Sequence, residues 1–182
     1  MLRANLLQLR SPQMPTAPVP KDHYNVLFLC TGNSARSIMA EAILNRMDKP
    51  QFTAYSAGSH PSGTVRTEAL ARLQTAGIAT DDLRSKNSDE FAKPDAPKLD
   101  FVFAVCDNAA NEVCRLWPGQ PMTAHWGVPD PAAVQGAREQ VEKAFRDAFF
   151  MLERRINLFL SLPLAALDDL AIKEALAKIG HQ

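Results

Sequence analysis

Residues 24–42 read YNVLFLCTGNSARSIMAEA, and this stretch decides how the chain folds. The apolar run over 24–29 is short, rich in β-forming residues and followed by Gly32, which predicts a buried strand. From Ile38 onward, apolar residues recur three and four positions apart, which predicts a helix over about 36–48. A buried strand that passes through a short polar loop into an amphipathic helix is typical of the first unit of an α/β sheet.

The same alternation of strand and helix continues along the chain. Gly77 stands at the C-terminal cap position of a second helix, and Pro163 ends a long helix later in the chain. Strands that alternate with helices favour right-handed crossovers and parallel pairing. We therefore expect a three-layer α/β/α fold with a four-stranded parallel sheet. The further strands are predicted at 52–56, 101–105 and 121–125, and the further helices at 64–76, 108–114, 136–160 and 165–179.

The prolines near the N-terminus separate a tail from the folded part of the chain. Four prolines lie between residues 11 and 20, so this segment can be neither a helix nor a central strand. We expect a flexible or loosely docked tail over 1–22, one main domain over 23–162 and a C-terminal helical extension over 163–182.

The composition excludes several kinds of partner. The chain has 182 residues, of which 46% are hydrophobic and 22% charged, and its 20 basic and 20 acidic residues cancel. Without a basic stripe a nucleic-acid partner is not expected, and no apolar run reaches the roughly 20 residues that a membrane helix needs. Three cysteines are an odd and small number for a secreted disulfide framework, so we expect a cytoplasmic protein.

Three groups with reactive side chains follow strands of the predicted sheet. Cys30 comes after the first strand, Cys106 after the third, and Asp130 with its neighbours over 125–131 after the fourth. In parallel sheets, ligands bind beyond the carboxyl ends of the strands, so all three groups should lie at one edge. Each cysteine alone is more typical of a buried thiol, and an Asp-Pro pair alone of a turn, but the shared edge favours a functional site.

The loop from Cys30 to Ser37 has the pattern Cys-x5-Arg-Ser between the first strand and the first helix. Its backbone N–H groups can curl into a concave nest at the positive end of the helix, where anions bind. Gly32 permits a backbone conformation that most residues resist, and Asn33 tolerates the left-handed region. The predicted oxyanion-binding loop comprises Thr31, Gly32, Asn33, Ser34, Ala35 and Arg36, the last of which offers a planar fork of donors.

Cys30 is the predicted nucleophile. The helix N-terminus and Arg36 should stabilise its thiolate, so we expect a pKa below the ordinary value of about 8.5. The Ser37 hydroxyl can donate a further hydrogen bond to the sulfur. Asp130 is the predicted general acid, because an oxygen displaced from a tetrahedral oxyanion leaves poorly unless it is protonated. His125 is expected to be structural or, alternatively, to tune Asp130.

Cys106 and Cys114 stand eight residues apart, with a small polar segment between them. On an intact helix this separation spans about 12 Å, whereas the Cα atoms of a disulfide lie within about 7 Å of each other. A disulfide between these cysteines therefore requires the segment to unwind, and its two asparagines make it a weak helix. Zinc would need more ligands nearby, so we expect no metal site here.

The segment over 26–42 resembles the low molecular weight tyrosine phosphatase family, and most closely its thiol-relay arsenate reductases. The likeness covers about 24–160, with further specific motifs at 55–58, 104–118 and 125–131. It implies that 23–162 is a phosphatase-like catalytic domain. In that domain Cys30 would attack the oxyanion, Arg36 would bind it, and Asp130 would be the general acid.

The resemblance also implies a relay through all three cysteines. Cys30 would form a thiol–arsenate adduct, Cys106 would attack its sulfur and release arsenite, and Cys114 would carry the disulfide to an external dithiol. That reductant would be thioredoxin, or glutaredoxin with glutathione. The sequence has one residue more between the last two cysteines than the best-known members, which leaves the reductant open. No other bound cofactor is implied, but a potassium ion held by some of these reductases matches Asn33, Glu41 and Ser56.

Two other functions stay open on the sequence. A protein tyrosine phosphatase would share Cys30, Arg36 and Asp130 and would work through a phosphocysteine. Phosphatase members, however, commonly carry aromatic residues after the Asp-Pro pair, where Ala132 and Ala133 stand here. A non-catalytic oxyanion-binding domain would not need thiolate, arginine and acid together. Weak phosphatase activity is expected beside arsenate reduction, because phosphate and arsenate are nearly isosteric.

Overall fold

The structure, a computed structural model, describes residues 21–107 and 117–182. The expected tail over 1–22 lies outside the described residues except for its last two positions. The helix expected over 108–114, and Cys114 with it, also lies outside them. Among the described residues, no helix is long and apolar enough to cross a bilayer.

The four strands form one parallel sheet in the order β2-β1-β3-β4. This confirms the α/β fold with a four-stranded parallel sheet that the sequence predicts. The strands are β1 (Tyr24–Cys30), β2 (Phe52–Gly58), β3 (Phe101–Ala104) and β4 (Met122–His125). The α-helices are α1 (Arg36–Arg46), α2 (Thr67–Thr75), α3 (Arg138–Leu160) and α4 (Asp169–Gly180), and short 3-10 helices lie at Ser88–Ala92 and Pro131–Ala133.

Side chains of β1 divide between two hydrophobic clusters, because successive residues of a strand point to opposite faces. Val26 and Phe28 belong to the larger cluster, to which helices α1, α2, α3 and α4 contribute. Leu27 and Leu29 belong to a smaller one on the other face. The larger cluster includes a stacked pair of rings, Phe103 and Trp126, whose centroids are 3.9 Å apart.

Helix α4 packs as part of the larger cluster. Its residue Leu176 is fully buried and accepts, through its carbonyl, a 3.0 Å hydrogen bond from the indole of Trp126. The helix begins four residues later than 165 because Asp168 caps it, accepting the backbone N–H of Ala171. Gly180 lies inside its last turn rather than after it. A Cβ at this position would collide with the carbonyl of His125, so glycine allows the close approach to β4.

The strand order places the candidate residues at one point of the sheet. From β1 the chain goes to β2 on one side and later to β3 on the other, so the order reverses between β1 and β3. Ligands in such sheets bind at this switch point, beyond the carboxyl ends of the strands. Cys30 ends β1, and Cys106 follows β3, so both thiols lie there.

Candidate active site

Cys30 is a buried thiol at the end of β1, with only 4% of its surface exposed. Its sulfur lies 2.9 Å from the hydroxyl oxygen of Ser37, in the first turn of α1. This contact is the one expected from the sequence. The backbone N–H of Ser37 also bonds to the sulfur, so α1 presents two donors to Cys30.

Burial raises the pKa of the Cys30 thiol above its ordinary value. The side-chain and backbone hydrogen bonds from Ser37 oppose this shift, Cys106 adds to it, and the charge of Arg36 opposes it. The expectation of a lowered pKa, based on Arg36 and the helix N-terminus, is therefore wrong in direction. The sequence shows the donors of the loop but not its depth, and loss of water around the charged sulfur outweighs them here.

The left-handed turn of the loop falls on Asn33, whose φ is 40°. Asn33 is the residue expected to tolerate this region. Gly32, in contrast, does not adopt a positive φ, so the special conformation expected of it is wrong. Side-chain bonds hold Asn33 in place. Its Oδ1 accepts the backbone N–H of Lys86 at 2.5 Å, and its Nδ2 donates to Ser37 and Ser56.

Carbonyl groups of the oxyanion loop, which we define as residues 31–36, are occupied by backbone donors from the segment after β2. Carbonyls bound in this way point away from an anion inside the loop. The backbone N–H groups of the loop remain available to bind that anion. The sequence contains no signal for these contacts, because backbone donors carry no residue signature. The bonds join Thr31 O to His60 N at 3.0 Å, Gly32 O to Ser62 N at 2.9 Å and Ser34 O to Arg66 N at 2.9 Å.

Gly58 supports the same loop from the end of β2. A Cβ at this position would lie 2.5 Å from the carbonyl oxygen of Thr31 and 2.9 Å from the backbone nitrogen of Asn33. Atoms this close cannot be accommodated without moving the backbone of the loop. The sequence marks Gly58 only as the end of a strand, whereas the structure shows that glycine here lets β2 touch the loop.

Arg36 and Asp130 are brought together by the fold. Arg36 Nη2 lies 3.1 Å from Asp130 Oδ2, and Arg36 Nη1 donates to the carbonyl of Val128 at 3.0 Å. The side chain of Arg36 is 14% exposed and that of Asp130 is 43% exposed, so the acid faces solvent more than the guanidinium does. The other carboxylate oxygen of Asp130 accepts the backbone N–H of Ala132 and so caps the short helix Pro131–Ala133.

Arg155 of α3 stabilises the acid loop, which we define as residues 126–130. Arg155 Nη1 donates to the carbonyls of Trp126 and Gly127 at 2.9 and 3.0 Å. Val128 N bonds in turn to Val105 O at the end of β3. Sequence reasoning missed Arg155, which is 5% exposed, because an arginine in an amphipathic helix is usually on the solvated face.

Cys106 is the second buried thiol, with 2% of its surface exposed. Its sulfur lies 3.7 Å from the hydroxyl oxygen of Thr31, the first residue of the oxyanion loop. Cys106 is one of the groups that raise the pKa of Cys30, so the two thiols lie within electrostatic reach of each other. The structure thus brings together Cys30, Arg36, Ser37, Asp130 and Cys106, whereas Cys114 lies outside the described residues.

His125 contacts Asp107 rather than Asp130. Its Nε2 lies 3.3 Å from Asp107 Oδ1, and Asp107 directly follows Cys106. The sequence left two roles open for His125, a structural role and the tuning of Asp130. Its contact with Asp107 agrees with the structural role.

The residues implied in potassium binding are already bonded to one another and to Lys86. Glu41 accepts two 3.1 Å hydrogen bonds from Lys86 Nζ, one on each oxygen, and a 2.5 Å bond from the Ser56 hydroxyl. Ser56 accepts from Asn33 Nδ2 at 2.9 Å. Since the oxygens have donors and an ammonium group supplies the positive charge, a potassium ion does not fit this arrangement.

Comparison with known proteins identifies the family. The model of the family described as low molecular weight phosphotyrosine protein phosphatase matches residues 25–172. The arsenate reductase of Halalkalibacterium halodurans is 34% identical over 134 residues, which cover 74% of this chain and 93% of that protein.

Two solved structures agree with this result. The low molecular weight protein tyrosine phosphatase from T. tengcongensis matches with a TM-score of 0.58 and 26% identity, over 74% of this chain and 98% of that one. The arsenate reductase from Archaeoglobus fulgidus matches with a TM-score of 0.55 and 25% identity, over 72% and 98%. The chain therefore belongs to the low molecular weight phosphotyrosine protein phosphatase family.

Proposed function

We propose that this chain is an arsenate reductase in which Cys30 is the nucleophile. The observation that carries the proposal is the position of a second buried thiol, Cys106, beside Thr31 of the oxyanion loop that directly follows Cys30. Hydrolysis of a phosphate ester requires one thiol, whereas a two-electron reduction requires a pair. The name of the H. halodurans relative, at 34% identity, points the same way.

In the first step, the oxyanion loop and Arg36 hold arsenate while the Cys30 thiolate attacks arsenic. A sulfur–arsenic bond forms, an arsenic–oxygen bond breaks, and the oxygen leaves as water after it takes a proton from Asp130. The ion pair between Arg36 and Asp130 supports these roles, since it places the acid beside the group that binds the anion. Because burial favours the protonated thiol, Cys30 must pass its proton to the Asp130 carboxylate, which is ionised in its pair with Arg36, and Asp130 then gives that proton to the leaving oxygen.

In the second step, the Cys106 thiolate attacks the sulfur of Cys30. A disulfide forms, the sulfur–arsenic bond breaks, and its electron pair stays on arsenic, which becomes arsenite. Arsenic gains two electrons, and the two sulfurs lose two. The interaction between the two thiols and their common position at the switch point of the sheet support this step.

In the third step, Cys114 attacks Cys106 and frees Cys30, and an external dithiol reduces the new disulfide. A thioredoxin-type protein, or glutaredoxin with glutathione, would serve as this reductant. The cycle requires reduced thiols at its start, so we infer a cytoplasmic location, where cysteines are kept reduced.

A tyrosine phosphatase is the second candidate, and the match to the T. tengcongensis phosphatase favours it. It would use the same Cys30, Arg36 and Asp130. The residues after Asp130 and Pro131 are Ala132 and Ala133, which offer no ring to stack on a phosphotyrosine. This absence of an aromatic partner at that position favours the reductase.

The two functions are separated by measuring arsenite release and aryl-phosphate hydrolysis on the same purified protein. A reductase should release arsenite over many turnovers with thioredoxin and a thioredoxin-reducing system, and should hydrolyse aryl phosphate weakly. Cys30→Ser serves as the control and should lose both activities. Efficient phosphate hydrolysis without arsenite release would contradict the proposal.

A further inference from the structure

Lys86 and Glu41 form a buried ion pair next to the oxyanion loop. Their side chains are 7% and 12% exposed, and the ammonium group bonds both carboxylate oxygens at 3.1 Å. Buried charges are costly unless they are paired, so each of these groups depends on the other. Cys106 and Arg36 also act on the pKa of Cys30, and neither belongs to this pair.

Hydrogen bonds connect this pair to Cys30. The carboxylate of Glu41 can only accept, so the Ser56 hydroxyl donates to it and must accept from Asn33 Nδ2. The same amide donates to the Ser37 oxygen at 2.9 Å, which leaves the Ser37 proton for the sulfur of Cys30. The Glu41 carboxylate thereby fixes the proton of Ser56, and the Asn33 amide, whose oxygen accepts the backbone N–H of Lys86, fixes that of Ser37.

The charge of Glu41 affects the pKa values of residues other than its hydrogen-bond partners. It raises the pKa of Tyr55 after the larger effect of burial, and it also acts on Arg84, whose main partner is Glu90. A carboxylate with no cation beside it would disfavour a second negative charge at Cys30, to which Glu41 is connected by the hydrogen bonds through Ser56, Asn33 and Ser37. Potassium is implied at these residues in some of the reductases that the sequence resembles, but here the Lys86 ammonium group bonds both oxygens of Glu41.

We propose that the Lys86 ammonium group is a built-in cation that neutralises Glu41, so that the Cys30 thiolate forms without a bound potassium ion. Lys86 is then a positioning residue that acts through Glu41, Ser56 and Asn33. This inference rests on the proposed role of Cys30 as the nucleophile. It does not require that the substrate be arsenate.

The test measures the rate of Cys30 alkylation by iodoacetamide across pH, in a background with Cys106→Ser and Cys114→Ser. Lys86→Met leaves Glu41 unneutralised, so the alkylation rate at pH 7 should fall by about fivefold and its inflection should move to higher pH. Glu41→Gln leaves Lys86 unneutralised and should move the inflection to lower pH. A merely structural pair would shift both variants in the same direction.

Potassium gives the second arm of the test. The parent should show the same alkylation profile and thermal midpoint in potassium chloride and in choline chloride at equal ionic strength. Lys86→Met should recover in potassium chloride, because Glu41 and Ser56 can then bind the ion. Lys93→Met makes the same change at an exposed lysine and should match the parent in both salts.

The proposal fails if potassium speeds alkylation in the parent, or if Lys86→Met keeps the parental profile. If Lys86→Met does not fold, the double variant with Glu41→Gln removes both charges and should fold with a profile near the parent's. A profile far from the parent's in that folded double variant would also contradict the proposal. Since alkylation needs no arsenate, these outcomes are independent of whether the protein reduces it.

Discussion

Arg36 and Asp130 form an ion pair that joins the oxyanion loop to the acid loop, with Arg36 Nη2 3.1 Å from Asp130 Oδ2. Arg36 begins α1 and Asp130 follows β4, so the contact depends on the order of the strands between them. The second donor of the same guanidinium is bonded to the carbonyl of Val128. An oxyanion bound by Arg36 would therefore lie beside Asp130.

Arg36→Lys should lower kcat/KM by about 10²–10³-fold, the usual effect of losing a donor to the developing charge. Lysine keeps the charge, but one ammonium group cannot reproduce the two-pronged contact with an oxyanion or hold Val128 and Asp130 together. Steady-state kinetics of arsenite release and aryl-phosphate hydrolysis would measure the change. Arg46→Lys is the control, since Arg46 lies at the far end of α1 and pairs with Glu153. Near-normal kinetics of Arg36→Lys would show that the loop binds something else.

Asp130→Asn should slow the first chemical step by about 10²–10⁴-fold, the range for loss of a general acid. Asparagine keeps an oxygen that can accept the N–H of Ala132, so the short helix after it should remain capped. The loss should be larger for phenyl phosphate than for nitrophenyl phosphate, because the poorer leaving group needs the proton more. Equal losses for the two esters would place the acid elsewhere.

Ser37→Ala should raise the pKa of Cys30 further, because the Ser37 hydroxyl bond is the largest effect that lowers it. The thiolate fraction at pH 7 then falls, and the inflection of iodoacetamide alkylation moves to higher pH. Ser59→Ala, an exchange of the same kind in the segment after β2, is the control. An unchanged inflection in Ser37→Ala would mean that the hydroxyl does not donate to the thiolate.

The raised pKa of Cys30 also predicts how stability depends on pH. A group whose pKa is higher in the folded state contributes stability below its unfolded pKa, and that contribution is lost as pH rises through the folded pKa. The free energy of unfolding should therefore fall at alkaline pH more steeply for the parent than for Cys30→Ala. Denaturant unfolding of both proteins from neutral to alkaline pH would show the difference.

Gly58→Ala should destabilise the protein by about 1–3 kcal/mol, the usual cost of overpacking, because its Cβ would lie 2.5 Å from the Thr31 carbonyl. Activity should fall as well, since the displaced backbone belongs to the oxyanion loop. Gly32→Ala is the matched control for stability, because its Cβ would meet only Ser34 Oγ, at 3.6 Å. Equal thermal midpoints for Gly58→Ala and Gly32→Ala would contradict this account of the loop.

Cys114→Ser should release about one arsenite per chain and then stop, because Cys30 and Cys106 together supply two electrons. The stopped protein should carry a disulfide between these two cysteines, detectable by peptide mapping. Cys106→Ser should stop before the redox step, and both variants should keep aryl-phosphate hydrolysis. Multiple turnovers by Cys114→Ser with thioredoxin as the only reductant would contradict the three-cysteine relay.

Much of the fold was predictable because it depends on patterns within short segments. The start of β1 and the start of α1 agree with the structure, and the other bounds of the described strands and α-helices are within a few residues of those predicted. Asn33 was also predictable as the left-handed residue, since its side chain tolerates that conformation. Helix α2 begins three residues later than expected because Arg66 remains extended and bonds Ser34 O, a contact with a distant segment.

By itself, the sequence determined the alternation of strands and helices, the Cys-x5-Arg loop and the location of an acid after β4, because each follows from local spacing and backbone preference. Only the tertiary structure decided that Lys86 neutralises Glu41, that Arg155 holds the acid loop, and that burial raises the pKa of Cys30. The reason is that burial and through-space charge pairing depend on how distant segments pack, and residue spacing carries no information about that packing.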